Sequence, residues 1–135
     1  KKILKKIVIL RLPAIIGEGC NENFVKDTIQ KLKKNMPVDI WNKDKKYNNI
    51  IHIKDLNKLI FKLITEKKYK QKILIDCLSS NAIRLSNLMI YLKNKIKSNS
   101  KINFLISKDR FKKIDRNSRF NYKFFSVKKA ISSLI

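Results

Sequence analysis

The stretch IVILRLPAIIGEG, residues 7–19, decides the fold class of this chain. Its first six residues form an almost unbroken apolar run rich in valine and isoleucine, and the run ends at Pro13. Runs of this kind are typical of strands that are buried on both faces of a parallel sheet. The stretch therefore predicts a buried parallel strand that exits into a glycine-containing loop at residues 17–19.

Strand and helix patterns alternate along the rest of the chain. Short β-branched runs predict further strands over residues 38–41, 50–53, 73–75 and 102–106. Apolar residues at helical spacing predict helices over residues 24–34, 56–64, 85–96 and 127–134. Residues 43–49 are expected to form a polar loop. Because strands and helices alternate and no linker interrupts them, we expect one α/β domain over residues 1–135.

The predicted helices begin near residues that can cap them. Asn23 and Ser126 precede the first and last helices, and Asp55 stands at the start of the second, where a carboxylate favours the free N–H groups. Ser80 and Asn81 are alternative caps for the third helix. Capping by these side chains would satisfy backbone donors that have no partner within the helix.

The charge is large, but its composition points away from nucleic acid. The 135 residues carry a formal net charge of +23, from 28 lysines and only 5 arginines, together with 22 isoleucines and 14 asparagines. Lysine, isoleucine and asparagine all become more frequent when coding DNA is rich in A and T. Arginine, the residue that phosphate and base recognition favours, is scarce. We therefore expect coding bias to explain most of the charge. A basic nucleic-acid-binding module stays as an alternative.

Several kinds of site are excluded by composition. One histidine and scattered carboxylates predict no metal site. Cys20 and Cys77 form no CxxC pair, which argues against a disulfide scaffold. A dinucleotide-binding loop at residues 17–19 would need a third glycine where Glu22 stands, and that carboxylate would repel a pyrophosphate. Because no apolar run reaches membrane-spanning length and no signal peptide is visible, we expect a cytoplasmic protein that does not enter a membrane.

Four segments, in order, resemble motifs of the extended short-chain dehydrogenase/reductase family. These are the NAD-dependent epimerases, dehydratases and reductases that act on nucleotide sugars. RLPAIIGEG (residues 11–19) resembles the family's RLP-x-VYGPG segment, and YNNIIHIKDL (47–56) resembles its YRNFIHVDDLA segment. ILIDC (73–77) is similar to the YNIGS strand, and residues 115–134 are similar to the closing stretch without its glycine.

The resemblance implies a particular part of such an enzyme. The chain is similar to the C-terminal portion of the Rossmann-like fold, with the last sheet strands and the substrate-binding helices. The dinucleotide-binding part, with its glycine-rich loop and catalytic Tyr-x-x-x-Lys, lies before the RLP strand in the family. Residues 91–95 fit the Tyr-x-x-x-Lys pattern by chance in a later helix. We therefore expect no catalytic residue in this chain, no turnover by it alone, and NAD or NADP as cofactor of the full-length parent.

The resemblance also assigns contacts along the first strand and helix. Pro13, Ala14 and Ile15 would lie against the nicotinamide and the sugar; the alternative is an ordinary strand exit. Ala14 stands where many members have an asparagine that holds the substrate, so that hydrogen bond is missing here. Asn23 and Phe24 would border the nucleotide of the substrate, with a helix cap and a core residue as the alternative roles.

The resemblance places basic contacts to the substrate diphosphate in two regions. Asn48 occupies the position of an arginine that often contacts the diphosphate. Either Lys45 or Lys46 supplies the charge instead, or the substrate is not a typical nucleotide-diphosphate sugar. Lys108 and Arg110 are the second contact, with a solvated loop as the alternative.

The expected partners follow from the same comparison. They are a nucleotide-sugar substrate and the N-terminal part of the same enzyme, with monomer and homodimer both open, and an exposed apolar surface where the cofactor-binding part docks. His52 and Asp55 are expected to hold the strand-to-helix junction. The aromatic residues at 111, 120, 122, 124 and 125 would pack beneath the last helix, whereas in a nucleic-acid-binding module they would stack on bases. A non-catalytic family member is the remaining alternative.

Overall fold

The structure is a computed structural model, and it describes residues 7–66, 72–106 and 122–135. Its strands and helices alternate, which confirms the α/β class. In chain order the elements are β1 (Val8–Arg11), β2 (Ala14–Ile16), α1 (Phe24–Lys33), β3 (Val38–Trp41), β4 (Lys46–Tyr47), β5 (Ile50–His52), α2 (Ile53–Thr65), β6 (Ile73–Asp76), β7 (Ile83–Arg84), α3 (Leu85–Ile96), β8 (Ile102–Leu105) and α4 (Val127–Ile131).

The strands pair across long sequence separations. β1 pairs with β6, β2 with β5 and β3 with β8, all in parallel, so the expected parallel pairing is confirmed. Parallel neighbours need crossover connections, and the helices between them provide these. β4 pairs antiparallel with β7, a two-residue ladder inside segments expected to be loop or cap. Such short strands carry too few residues to show a period of two.

The first strand is less buried than its sequence predicts. Val8 and Ile9 are 36% and 38% exposed, so the expected burial on both faces is wrong. Within the described residues β1 pairs only with β6, and its other edge has no strand beside it. The described residues therefore leave the faces of β1 partly uncovered.

Two hydrophobic clusters lie on opposite sides of β5. Ile50 belongs to the larger cluster, which includes residues of α1, α3 and α4, and Ile51 belongs to the smaller one, which includes residues of α2 and β6. Both side chains are completely buried. Because successive side chains of a strand point to opposite faces, β5 serves both clusters and separates them.

The predicted caps of the first and last helices are confirmed. The Asn23 side chain accepts hydrogen bonds from the N–H groups of Val25 and Lys26, both at 3.1 Å. The Ser126 hydroxyl oxygen accepts one from the N–H of Lys129 at 3.3 Å. Local sequence predicted both correctly because these bonds span only two or three residues.

Of the other two helix starts, α2 has Asp55 in its first turn as expected, and α3 differs from expectation. The cap of α2 is His52, whereas Asp55 lies in its first turn. The prediction of Ser80 or Asn81 as the cap of α3 is wrong, because α3 follows Arg84 directly with no side-chain cap. Backbone carbonyls take over there: the N–H of Leu85 donates to Lys45 O at 3.0 Å, across the β4–β7 ladder.

Cys20 and Cys77 are both free thiols, Cys20 half-buried and Cys77 buried. None of the helices in the described ranges is long and apolar enough to cross a bilayer.

Candidate functional site

A cavity of about 450 Å³ opens between the end of β1 and the start of α1. Its lining comprises Pro13, Ala14, Ile15, Ile16, Gly17, Glu18, Gly19, Cys20, Asn21, Glu22, Asn23 and Ile53. Ligands of open α/β sheets bind outside the carboxyl ends of the parallel strands, and this cavity has that position relative to β1. The structure thus brings four residues predicted from sequence into one cavity: the three of the strand exit and the cap of α1.

A bidentate ion pair joins the two strand ends beside the cavity. Arg11 and Asp76 are partners in the β1–β6 register. The Arg11 guanidinium donates through Nη2 to Asp76 Oδ2 at 2.8 Å and through Nε to Oδ1. Two parallel charge-assisted bonds fix orientation as well as distance. The pair therefore holds the point at which the chain leaves β1 for Pro13.

The loop after β2 needs a glycine where it meets α2. Gly17 has φ +148°, and a Cβ on it would lie 2.6 Å from Cγ2 of Ile53. Such a distance is far inside van der Waals contact, and an L side chain rarely adopts that φ. The N–H of Cys20 donates to the Gly17 carbonyl at 3.2 Å, which closes the turn. One wall of the cavity is therefore set by backbone packed on the first residue of α2.

The amide of Asn23 is used within the chain. Besides capping α1, its Nδ2 donates to Asn21 O at 3.0 Å and lies 3.8 Å from Cys20 Sγ. Lys26 reaches back to donate to Cys20 O at 2.8 Å and pairs with Glu22 at 3.1 Å. These contacts hold the segment between the loop and α1 in one shape. The cap role is present in the structure, and contact of Asn23 with a substrate stays a prediction.

Phe24 does not belong to the core. Its ring is 40% exposed, so the alternative role as a core residue is wrong. One side of it contacts Tyr47, with ring centroids 5.4 Å apart and planes inclined at 58°. Burial raises the pKa of the Tyr47 phenol above its ordinary value, which keeps this support neutral. Phe24 thus lies at the start of α1, with one side of its ring packed on Tyr47 and part of the residue exposed to solvent.

Asn48 is committed to the interior. Its side chain is buried and its Nδ2 donates to the Ser79 carbonyl at 3.1 Å, between β5 and the segment after β6. It does not line the cavity next to β1. Of the lysines expected to replace the missing arginine charge, Lys46 lines a different cavity, and Lys45 is exposed. Lys108 and Arg110 lie outside the described residues, so their contacts stay predictions.

Asp55 and His52 hold the junction between β5 and α2, as the sequence indicated. Buried Asp55 accepts a hydrogen bond from the N–H of Phe125 at 2.6 Å and one from the Tyr122 hydroxyl at 3.2 Å. His52 Nδ1 accepts from Lys54 N at 3.1 Å, and its Nε2 lies 3.0 Å from the Ser133 hydroxyl. No pattern in the sequence identified Phe125, Tyr122 or Ser133 as partners, because they are remote in the chain.

Two electrostatic consequences follow at this junction. Burial lowers the pKa of His52 below its ordinary 6.5, and nearby Lys54 lowers it further while Asp55 opposes the change. The neutral ring therefore keeps Nδ1 as an acceptor and Nε2–H as a donor to Ser133. Burial, and then the Asp55 carboxylate, raise the pKa of Tyr122, so its phenol stays a donor.

The described C-terminal aromatic residues pack inside the chain. Phe125 belongs to the larger cluster with residues of α4, as expected, and its ring centroid lies 5.9 Å from that of His52. Tyr122 and Phe124 instead pack on the smaller cluster beside α2 and β6, so their expected place beneath the last helix is wrong. Rings committed to cores in this way do not form a stacking platform for bases.

The cavity beside β1 fits one end of a dinucleotide better than the other. Pro13, Ala14 and Ile15 present an apolar strand exit, which suits a planar ring. Glu18 and Glu22 also line the cavity, and their carboxylates disfavour a phosphate there. The residues present therefore fit the nicotinamide end of NAD or NADP. Nothing in this lining resembles a diphosphate cradle.

Solved structures share this fold. No protein-family model and no curated protein matches the sequence. A GDP-L-fucose synthetase from Naegleria fowleri bound to NADP aligns over 94% of this chain and 43% of its own, with TM-score 0.67 and 13% identity. A dTDP-4-dehydrorhamnose reductase from Bacillus anthracis in complex with NADP aligns over 94% and 46%, with TM-score 0.68 and 15% identity.

A third structure extends the range of reactions. It is a UDP-glucuronic acid 4-epimerase from Bacillus cereus in complex with UDP-glucuronic acid and NAD, and it aligns over 95% of this chain and 38% of its own, with TM-score 0.62 and 17% identity. The chain thus spans less than half the length of these three proteins. The resemblance to the extended short-chain dehydrogenase/reductases is confirmed at the level of the fold, and NAD or NADP is the cofactor that these structures contain.

Proposed function

We propose that a chain with this extended short-chain dehydrogenase/reductase fold is the substrate-binding part of an NAD(P)-dependent enzyme that acts on a nucleotide sugar. The reaction would be an epimerisation, dehydration or reduction. One observation carries the proposal: Pro13, Ala14, Ile15 and Asn23, chosen from sequence, line one cavity at the end of a parallel strand. The fold of nucleotide-sugar epimerases and reductases over nearly the whole chain supports it.

Within this enzyme the chain would position the substrate and the nicotinamide, and its own side chains would not take part in the chemical step. NAD(P) would accept or return a hydride. The strand exit at residues 13–15 would form an apolar wall for the nicotinamide end, and the Gly17 turn would keep that wall at a fixed distance from α2. The Ala14 side chain has no polar atom for a sugar hydroxyl. Another group must therefore hold the sugar in place, and the substrate pocket differs there from that of relatives with asparagine.

The exposed ring of Phe24 is the proposed contact for the nucleotide. Tyr47 supports it from one side, and the α1 start beside it carries a rigid cap. An aromatic ring with a free face can stack on any of the nucleotide bases. Asn23 would act here by holding the helix start, and Lys108 and Arg110 remain the proposed contacts to the diphosphate. Asn48 supplies no charge at the position of the family's arginine, and its buried amide donates to the Ser79 carbonyl.

The dinucleotide-binding part would come from residues outside this chain. The exposed apolar side chains of Ile7, Val8, Ile9 and Leu12 support this, because they run along and just beyond a strand with one free edge. Apolar surface of this extent is typical of an interface. We propose that the catalytic Tyr-x-x-x-Lys and the glycine-rich loop lie in that part, that the assembled enzyme is cytoplasmic, and that it is a monomer or a homodimer.

The first experiment reads the coding DNA upstream of residue 1. The proposal expects a Tyr-x-x-x-Lys shortly before the RLP strand and a glycine-rich strand–turn–helix before that. The product of the longer reading frame should then quench or shift NADPH or NADH fluorescence on binding. An in-frame stop or unrelated sequence upstream would remove the enzyme proposal and leave a stand-alone or non-catalytic chain.

The second experiment tests the nucleotide contact in the 135-residue chain. UDP-glucose is titrated into isotope-labelled protein, and chemical shifts are followed by NMR. Stacking on one base contributes roughly 1–3 kcal/mol, so Phe24→Ala should weaken binding by about fivefold or more. Phe61→Ala is the matched control, because Phe61 is 69% exposed on α2, away from the cavity. Equal affinity of the two variants would contradict the assignment of Phe24.

A further inference from the structure

A second, larger cavity lies beside the β4–β7 ladder. It has a volume of about 770 Å³ and is formed by that ladder, the first half of α3 and the start of α4. Its lining comprises Lys46, Asn81, Ala82, Ile83, Arg84, Asn87, Ile90, Tyr91, Ser126 and Lys128. Lys46 lies in this lining, whereas its neighbour Tyr47 packs on Phe24. Phe24 does not line this cavity, and the cavity shares no lining residue with the one beside β1.

Three positive charges converge on this cavity from three elements. Lys46 comes from β4, Arg84 from the end of β7, and Lys128 from α4. None of the lining residues is aspartate or glutamate, and among the described residues none of the three bases forms an ion pair. The remaining polar side chains are two amides and two hydroxyls, which can donate to phosphate oxygens.

The two strand residues are placed in an unfavourable arrangement. Lys46 and Arg84 are direct partners in the antiparallel register. Like charges directly opposite each other on a ladder destabilise it. A bound anion between them converts this repulsion into attraction. Backbone hydrogen bonds hold the two strands together, among them the bond from Leu85 N to Lys45 O. The side chains of Lys46 and Arg84 are therefore not needed to form the ladder.

Lys128 is held in position at the opposite rim. Its Nζ lies 5.1 Å from the centroid of the Tyr91 ring. A cation–π contact restrains the ammonium group but leaves its N–H donors available on the far side. The neighbouring Ser126 hydroxyl oxygen accepts from Lys129 N, which leaves its O–H free to donate. Both groups therefore offer donors to the cavity without first breaking a strong bond.

We propose that this cavity binds a small molecule that carries a diphosphate or triphosphate group. Lys46 and Arg84 would hold one phosphate and Lys128 another, with Ser126 as a neutral donor. The volume lies in the range of small-molecule pockets, and the charges surround a concavity instead of forming a stripe, which favours a small ligand over a nucleic acid. This site goes beyond the proposed function. Of the residues considered for cofactor or substrate it contains only Lys46, and Lys46 does not line the cavity beside β1.

The test uses inorganic triphosphate as the probe at constant ionic strength. Calorimetric titration gives the affinity, and NMR of labelled protein locates the binding. We expect the largest shift changes at the amides of Ile83, Arg84 and Asn87. Since a hydrogen bond to a charged group contributes about 1.5–3 kcal/mol, the triple variant K46Q/R84Q/K128Q should bind at least about tenfold more weakly.

A second triple variant separates a site from general charge. K34Q/K95Q/K101Q removes an equal number of positive charges, from exposed positions outside the cavity. It should bind triphosphate within about twofold of the unchanged chain. Thermal unfolding confirms that both variants fold; if K46Q/R84Q/K128Q does not, the single variants Lys46→Gln and Lys128→Gln replace it. The proposal is overturned if both triple variants weaken triphosphate binding equally, or if the unchanged chain does not bind millimolar triphosphate. It is also overturned if a single-stranded oligonucleotide binds more tightly than triphosphate and both triple variants weaken that binding alike.

Discussion

The carboxylate of Asp55 accepts a hydrogen bond from the backbone N–H of Phe125, at 2.6 Å and across 70 residues of sequence. Its other oxygen lies 3.2 Å from the Tyr122 hydroxyl. Asp55 is only 2% exposed, so its oxygens depend on these partners for their hydrogen bonds. This one side chain ties the start of α2 to the segment that leads into α4, next to the β5 strand that both hydrophobic clusters share.

Replacing Asp55 tests that tie. Asp55→Ala leaves the N–H of Phe125 and the phenol of Tyr122 without their acceptor, and we expect it to lower the free energy of unfolding by about 2–4 kcal/mol. Asp55→Asn keeps one oxygen acceptor and should cost roughly half as much. Urea unfolding gives both values. Asp44→Ala, in the exposed loop before β4, is the control and should change stability by less than about 0.5 kcal/mol.

The stability of the fold should depend on His52 between pH 7 and pH 5. Because burial depresses its pKa in the folded state, the unfolded chain takes up a proton first, near pH 6.5. Stability from the neutral ring is therefore complete above that value and is lost as pH falls toward the lower folded pKa. Protonation of Nδ1 would also remove the acceptor for Lys54 N.

The matched variant for this effect is His52→Asn. Asparagine is a good helix cap and does not titrate, so α2 keeps an acceptor at its start. The variant should lose the pH dependence between 7 and 5 while the unchanged chain keeps it, as measured by thermal midpoints at constant ionic strength. His52 is the single histidine of the chain, so no other imidazole competes for the effect. An identical slope in both proteins would contradict the assignment.

Two glycines of one loop should respond differently to alanine. Gly17→Ala places a Cβ 2.6 Å from Ile53 at a φ of +148°, so we expect a loss of about 2–4 kcal/mol. Gly19 has φ +72° and open space around it, and Gly19→Ala should cost only about 1 kcal/mol, from the left-handed backbone. Chemical denaturation measures both. Comparable losses would mean that contact with α2 does not set the Gly17 position.

The Arg11–Asp76 pair should show measurable coupling in a double-mutant cycle. Arg11→Gln, Asp76→Asn and the double variant should give a coupling energy of about 1 kcal/mol, since the pair is bidentate and Asp76 is mostly buried. The exposed i,i+4 pair of Lys31 and Asp27 is the control, with an expected coupling of about 0.3–0.5 kcal/mol. If the strand-end pair couples no more strongly than this helix pair, it does not hold the cavity edge.

The candidate site was partly predictable because its residues are close in sequence. Residues 13–15 and Asn23 lie within eleven positions of one another, and the order strand, loop, helix brings them to one strand end whatever the rest of the chain does. Phe24 was placed at the right helix start, but its exposure was not predictable. Whether a helix residue faces the core depends on what packs on that face, and Tyr47 comes from a later strand.

Local sequence by itself determined the alternation of strands and helices, the caps at Asn23 and Ser126, and the need for a glycine-containing turn after β2. Each depends on periodicity or on hydrogen bonds that span a few residues. Tertiary structure alone decided the exposure of β1, the burial of Asn48 against Ser79, the partners of Asp55 and the meeting of Lys46 with Arg84. These depend on which distant segments pair, because burial and charge proximity are properties of the packed chain and not of any single stretch.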